Sequence, residues 1–359
     1  MDILKGLLTP VTVYIVVLVL NLILPGKWVK GYISHPGTEE KLNYHLNGFL
    51  VFLVTIAAYF IACFLHALPW DWFFRFRWYS AAGACIIGLI ASFAVVLPYP
   101  RVRNSFFADL YLGRIENLQF RNGRVDSKMW LYLAGATMLG LNVTSFAARH
   151  FMLFKSAFSP GVAISALLML FFIVDYLTFE EVHLYTYDLF AERVGFKLGW
   201  GCLVFYAYFY SVFLWATVEL PDAGTPVFML VLYVFTFFSG WVLSRGANLQ
   251  KYFFKKYPGK MFLMIAPETI SDGKRSLLVN GFWGVSRHVN YLGEILMAAG
   301  MILCTGHPGM IWPWLYPLYY VGLLFTRQAD DDRRCKNKYG ALWDEYKKRV
   351  PYRIIPFIY

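Results

Sequence analysis

The chain has 359 residues, is 58% hydrophobic and 19% aromatic, and carries a formal charge of +11. Soluble domains run about 45–50% apolar, and the excess here sits in long uncharged runs, which a bilayer requires and a water-soluble core does not. The charge is no argument for nucleic acid, because the basic residues lie between the apolar runs, where membrane proteins carry their cytoplasmic loops.

Apolar runs of spanning length fall near 7–25, 47–69, 79–99, 130–148, 161–178, 198–219, 225–244, 289–305 and 308–326. The first lacks an A-x-A-like cleavage site and reads as a span, not a signal peptide. In the last, Pro313 and Pro317 predict a kink that neighbouring helices must accommodate. A tenth span would need a broken or re-entrant helix in a long loop.

Loop 101–128 carries Arg101, Arg103, Arg114, Arg121, Arg124 and Lys128. Loop 245–287 carries Arg245, Lys251, Lys255, Lys256, Lys260, Lys274, Arg275 and Arg287, and the tail 327–359 carries nine more Lys and Arg. On this span count the three segments share one side, which the positive-inside rule makes cytoplasmic. The tail is too short to fold alone and must pack on the membrane body or lie at its surface. No internal repeat, low-complexity tract or soluble domain is visible.

The five cysteines, Cys63, Cys85, Cys202, Cys304 and Cys335, have no CxxC or metal-like spacing. They read as single buried thiols, with no disulfide framework and no metal site. His66 and His307 sit at span ends without metal-like partners. Asn142-Val143-Thr144 matches the glycosylation pattern but lies inside a span, and Gly195 and Gly199 read as helix-packing contacts. There is no GxGxxG after a strand and no GxxxxGK[ST], so a nucleotide site would be built from helices and loops.

Polar groups at membrane depth are functional candidates. The densest set is Asn248, Gln250, Lys251, Lys255, Trp283, Arg287, His288, Asn290, Tyr291 and Glu294. Arg287, Asn290, Tyr291 and Glu294 follow i, i+3, i+4, i+7 spacing, which predicts one helical face turned into the protein; the alternative is a snorkelling boundary cluster. Arg327, directly after an apolar run, can present its fork to a phosphate at the membrane boundary. Asp331 can hold that arginine or accept from ribose hydroxyls. Taken alone, this tail also reads as a solvated amphipathic helix with ordinary charge pairs.

Together these segments resemble the sterol reductases: the C14, C7 and C24(28) enzymes and the reductase-like domain of the lamin B receptor. Leu277-Leu278-Val279-Asn280-Gly281-Phe282-Trp283-Gly284-Val285-Ser286-Arg287-His288-Val289-Asn290-Tyr291-Leu292-Gly293-Glu294 is similar to the family's LLxSGWWGxxRHxNYxGD signature. Gly246-Ala247-Asn248-Leu249-Gln250-Lys251 with Phe254-Lys255 resembles its ANxQKxxFR element, and the ending through Val350-Pro351-Tyr352-Arg353 resembles its C-terminal signature. Strong likeness covers about 245–359. Weaker traces lie at Asp126-Ser127-Lys128, Thr186-Tyr187-Asp188 and Asn47-Gly48.

The resemblance implies an all-α, polytopic integral membrane protein of about ten transmembrane helices. Residues 1–244 would contribute a sterol pocket reached from the bilayer, and 245–359 an NADPH site, within one integrated membrane domain. It carries cofactor-binding roles onto Lys251, Lys255, Trp283, Arg287, His288, Asn290, Tyr291, Arg327, Asp331, Lys338, Tyr339 and Tyr352. It implies reduction of a sterol double bond, with C14 favoured over C7 and C24. The setting would be a bacterial inner membrane or the endoplasmic reticulum. Glu294 stands where the family has Asp, and Thr326 and Asp330 where it has His and Arg. Cys202 and Phe213 replace an acid and a glutamine of FGDxxWVPFxYSLQ, which bears on the substrate more than on the cofactor. Two other classes are an isoprenylcysteine-type methyltransferase, which would bind S-adenosylmethionine, and a non-catalytic sterol-binding protein.

An unactivated C=C is a poor hydride acceptor, so an acid must protonate one face of the alkene before hydride arrives on the other. Candidate acids lie among Asp175, Glu180, Glu181, His183, Asp188 and Tyr210. Tyr210 matches the tyrosine of the family's YSLQ. It is expected to be the donor or relay, with Glu181 or Asp188 behind it.

Overall fold

A computed structural model describes residues 1–35 and 37–359. The chain divides into two compact units, Met1–Asp222 and Ala223–Tyr359. Long helices dominate both: α1 Asp2–Ile23, α2 Gly48–Phe64, α3 Arg77–Val96, α4 Ser127–Phe154 and α5 Pro160–Thr178 in the first, and α6 Val227–Lys256, α7 Val289–Cys304, α8 Ile311–Tyr339 and α9 Ala341–Arg349 in the second. A helix falls on each of the nine apolar runs. Among the described residues, six helices are long and apolar enough to cross a membrane: α1, α3, α4, α5, α6 and the segment Phe196–Thr217. The protein is thus an integral membrane protein of mainly helical fold; α2 and α7 are shorter apolar helices.

The fold is not purely helical. The antiparallel pair β1 Lys27–Ser34 and β2 Lys41–Leu46 follows α1, the short pair β3 Gln119–Phe120 and β4 Val125–Asp126 precedes α4, and β5 Thr269–Ser271 pairs with β6 Ser276–Leu278 in the second unit. The first ribbon is rich in Trp28, Val29, Tyr32, Ile33 and Tyr44, residue types that fit a pleated, half-buried surface. Arg124 fastens it by donating to the carbonyls of Leu22 and Leu24 at the end of α1 (2.7 Å each) while its Nη1 meets His45 Nε2 at 2.8 Å.

In the first unit, Asp109 and Arg114 close the end of α3. The buried Asp109 carboxylate accepts from Arg114 Nε at 2.9 Å, and Arg114 Nη1 donates to the carbonyls of Val96 and Tyr99. These arginines of loop 101–128 therefore serve the fold as well as the charge pattern.

The run expected as one span at 198–219 is a broken helix. It begins as α-helix over Phe196–Trp200, widens to a π-helix over Gly201–Tyr206, tightens to a 3-10 turn over Phe209–Ser211 and resumes as α-helix over Val212–Thr217. Such a break frees backbone carbonyls that lipid cannot satisfy. Tyr14 Oη donates to the Leu203 carbonyl at 2.5 Å and Asn142 Nδ2 to the Ala207 carbonyl at 2.8 Å. Asn142 is thus a buried partner of the break. Gly135 lets the break approach, since a Cβ there would lie 2.4 Å from the Cys202 carbonyl oxygen.

In the second unit, α6 and α7 cross at van der Waals contact of their backbones. A Cβ on Gly293 would lie 2.5 Å from both the Gly240 carbonyl oxygen and the Ser244 nitrogen, and one on Gly300 would lie 2.8 Å from the Phe237 nitrogen. Small residues at such crossings are how membrane helices pack without a hydrophobic driving force between them. The ribbon β5–β6 packs through Ile270 against Tyr339, Leu342, Trp343 and Tyr346 of α8 and α9. The loop after α6 and the tail after α8 therefore lie on the same side, and the tail folds onto that loop.

Candidate active site: an acid cluster and a polar cradle

The first unit gathers tyrosines beside the break. Tyr206 meets Tyr210 edge to face at 5.0 Å and Tyr176 at 6.3 Å, and Tyr176 stacks on His183 at 3.7 Å. Tyr132 lies 5.8 Å from Tyr176 and 6.4 Å from Tyr206. Tyr210 is half-buried on the 3-10 turn, whereas Phe213, where the family has a glutamine, is completely buried.

Three acids sit nearby in sequence and differ in environment. Glu181 Oε2 accepts from Lys27 Nζ at 2.8 Å. Asp188 is half-buried on a short helix, Tyr187–Phe190. Glu180 is buried and receives the Gly48 N–H on Oε2 at 2.9 Å, at the N-terminus of α2. Position 48 must be glycine for this, because a Cβ would lie 2.2 Å from Glu180 Oε1. Burial raises the Glu180 carboxyl to about 7, and the Gly48 N–H only partly opposes it. Sequence reasoning placed Glu180 among the candidates but ranked Glu181 above it. The missed signal was Asn47-Gly48, which supplies the seat.

A raised carboxyl pKa has a stability signature. Protonated Glu180 is the form the fold prefers, so its contribution is complete below the ordinary glutamate pKa of 4.5 and is lost as pH rises through about 7. Glu180→Gln should flatten the fall in melting temperature between about pH 4.5 and 7 that this group imposes on the wild type. A parallel pair of melting curves across that window would contradict the assignment.

The second unit holds the predicted cofactor residues. The spacing argument put Arg287 on a helical face with Asn290, Tyr291 and Glu294, but α7 begins at Val289 and Arg287 precedes it in a turn after the extended Ser286. Its Nη1 donates to the carbonyls of Val350 and Pro351 at 2.9 and 3.0 Å, and its N–H donates to the Tyr352 carbonyl. The neighbouring His288 N–H donates to the Arg353 carbonyl and Ser286 Oγ to the Ile354 carbonyl. Residues 350–354 thus form a strap bonded along Ser286–His288, and Arg287 Nη1 holds that strap. Arg287 Nε is buried with no protein hydrogen-bond partner.

His288 stacks on Tyr291 at 4.9 Å and 11°, with Nδ1 at 3.8 Å from Asp331 Oδ2. Burial, aided by Arg287 and Lys251, lowers its pKa to about 3, so the ring is neutral and the Asp331 contact is no ion pair. Burial also raises Asp331, against the pull of Lys251 and Arg327. His288 Nε2 and Asn290 Oδ1 are buried without a protein partner, while Asn290 Nδ2 reaches Asn248 Oδ1 at 3.5 Å.

Lys251 lies 5.6 Å over the Trp283 ring, whose Nε1 donates to the Ala247 carbonyl. Gln250 clamps the turn before Trp283: Nε2 donates to the Asn280 carbonyl and Oε1 accepts the Phe282 N–H. Gly281 makes this turn at φ +63, and a Cβ there would lie 2.2 Å from Gln250 Nε2. Only glycine adopts such a conformation without strain in that space. Glu294 accepts from Ser244 Oγ at 2.6 Å. Tyr339 is buried against Trp343 with Lys338 at 5.2 Å from its ring, Lys255 sits 5.4 Å over Phe254, and Tyr352 packs on Phe357. Asp330, where the family has Arg, receives Arg334 Nε at 2.7 Å. Arg327 follows Thr326 on α8, one turn before Asp331.

The family likeness seen in the cradle's elements extends over nearly the whole chain. The family model described as Ergosterol biosynthesis ERG4/ERG24 family matches residues 7–359. The chain belongs to this family. A Delta(14)-sterol reductase of Arabidopsis thaliana is 31% identical to it over 94% of this chain and 91% of its own length. Delta(14)-sterol reductases of Methylotuvimicrobium alcaliphilum and Schizosaccharomyces pombe are 28% and 29% identical, each over 93% of this chain and 79% and 80% of their own lengths. Membership in the ERG4/ERG24 family sets aside the methyltransferase alternative.

Proposed function

We propose that this ERG4/ERG24-family protein reduces a sterol carbon–carbon double bond with NADPH, with the C14 bond as substrate position. The observation that carries the cofactor reading is the set of buried polar atoms without protein partners, Arg287 Nε, His288 Nε2 and Asn290 Oδ1, within four residues of one another. Buried polar groups are normally paired, and a dinucleotide offers carboxamide, hydroxyl and phosphate groups that match this set. Lys251, Lys255, Arg327 and Lys338 supply cations for phosphates, Trp283, Tyr291, Tyr339 and Tyr352 supply ring faces, and Asp331 can accept from ribose.

When bound, NADPH would supply the hydride. Position 14 rests on the names of the similar Delta(14) enzymes; the altered Cys202 and Phe213 keep C7 and C24 as alternatives. The chain's own residues would handle the proton. Tyr210, at one end of the tyrosine row, delivers or relays it to the alkene, and a second acid resupplies it. Among Glu181, Asp188 and Glu180, the buried, protonated Glu180 suits that second role best, because Glu181 is held by Lys27. The cytoplasmic placement of the strap and of residues 251–288 follows from the positive-inside rule.

Purified protein in detergent, given NADPH and a panel of Δ14, Δ7 and Δ24 sterols, should reduce one of them, as read by mass spectrometry, and Arg327→Ala should lose that product. Absence of both turnover and NADPH binding would defeat the reading. Tyr210→Phe should lower kcat by about 10²-fold or more, as loss of a general acid does, with NADPH affinity unchanged. Full turnover in that variant would remove Tyr210 from the mechanism.

A further inference from the structure

The strap ends in a feature that the reductase reading does not use. After Ile354 the chain turns through Phe357 and Ile358, which stand 85% and 81% exposed. Phe357 takes φ +65, the left-handed region that a bulky residue rarely adopts. The turn is held firmly: Tyr359 N–H donates to the Ile355 carbonyl, and Arg353 and Ile354 N–H both donate to Tyr359 O. Two large apolar side chains are therefore presented outward on a rigid, strained tip, and water is a poor environment for them.

The position of the tip identifies its partner. Tyr359 stacks on Phe325 at 5.3 Å and 21°, and its hydroxyl reaches Gln328 Oε1 at 3.4 Å. Phe325 ends the uncharged apolar run of α8: Ile311–Phe325 carries no charge, and Arg327 begins the charged half. The apolar half exposes Ile311, Trp312 and Leu318, as a lipid-facing helix does. The tip thus continues the exposed apolar surface of that uncharged half at the point where the charged half begins, and Arg353 lies beside Tyr359 there.

We propose that Phe357 and Ile358 are an interfacial membrane anchor, seated in the headgroup–acyl boundary of the bilayer in which the protein sits. Its consequence is that the lipid surface fixes the far end of the strap bonded to Ser286–His288. The proposal does not depend on the reductase reading.

The test is depth measurement by spin label on the full chain in phosphatidylcholine nanodiscs. Ile358→Cys would be labelled beside Phe228→Cys, an exposed position on the apolar α6, and Lys348→Cys, an exposed position on the charged α9. The protein without an added cysteine sets the background from Cys85 and Cys335. The expected result is a label at 358 that collides with oxygen more than with a nickel chelate, placing it about 5–10 Å into the boundary. Access to the nickel chelate equal to that at 348 would overturn the proposal. So would protection from both reagents, which would mean burial against protein such as a second copy.

Discussion

Arg287→Lys should lose most sterol reduction although it keeps the positive charge. In the structure one guanidinium nitrogen bridges the Val350 and Pro351 carbonyls while Nε points elsewhere in the buried site. A lysine ammonium has neither the planar fork nor the reach to serve both directions. The strap would loosen from Ser286–His288 and take with it Tyr352 and the His288 ring. Displacement of about 1 Å at such a site costs on the order of 10²-fold in rate, so kcat/KM for NADPH should fall by about that factor in both Arg287→Lys and Arg287→Ala. Hydrogen exchange supplies an independent readout, because the Arg287 and His288 amides donate to the strap and should lose protection together. Near-normal activity in the lysine variant would mean that Arg287 acts as a simple cation.

Gly293→Ala should be among the most damaging single methyl additions in the chain. The added carbon would lie 2.5 Å from two backbone atoms of α6, the Gly240 carbonyl oxygen and the Ser244 nitrogen. Backbone cannot rotate away as a side chain can, so the helices must part. Overpacking costs about 1–3 kcal/mol and more where relaxation is blocked; a loss of about 3 kcal/mol is expected, read as a lowered melting temperature in detergent. The separation would also stretch the Ser244–Glu294 hydrogen bond and the Asn248–Asn290 contact. NADPH affinity should therefore fall along with stability. Alanine at Gly322, where a Cβ meets nothing within 4 Å, is the matched control.

The sequence made the long helices legible because about 20 apolar residues are needed to cross hydrocarbon and few other structures use such runs. It did not reveal the ribbon Lys27–Leu46, whose lysines and glycines obscure the alternation of Trp28, Val29, Tyr32 and Ile33. It could not reveal the break at 201–211, since a uniformly apolar run looks the same whether it winds as α, π or 3-10 helix. The cradle residues were legible through family likeness, but their geometry was not. Arg287 obeys helical spacing and yet precedes the helix, because Ser286 to His288 pair with a strap more than 60 residues away in sequence. Glu180, a candidate acid from the start, was ranked below Glu181 for the same reason: its partner, Gly48, lies 132 residues earlier.

The π-helical turn at Gly201–Tyr206 has a consequence for how Tyr210 is aimed. A turn closed i to i+5 holds one residue more than an α turn, and each residue of an α-helix advances the direction by about 100°. Everything after the wide turn is therefore phased differently from what an uninterrupted helix would give. Rewinding these six residues to regular α-helix with none removed would swing Tyr210 roughly a quarter-turn around its axis, whereas removing one residue along with the rewinding would leave its phase nearly unchanged. The inserted residue thus acts as an indexing step, and the helix's rotational phase, as much as its composition, sets which wall of the first unit receives the tyrosine hydroxyl.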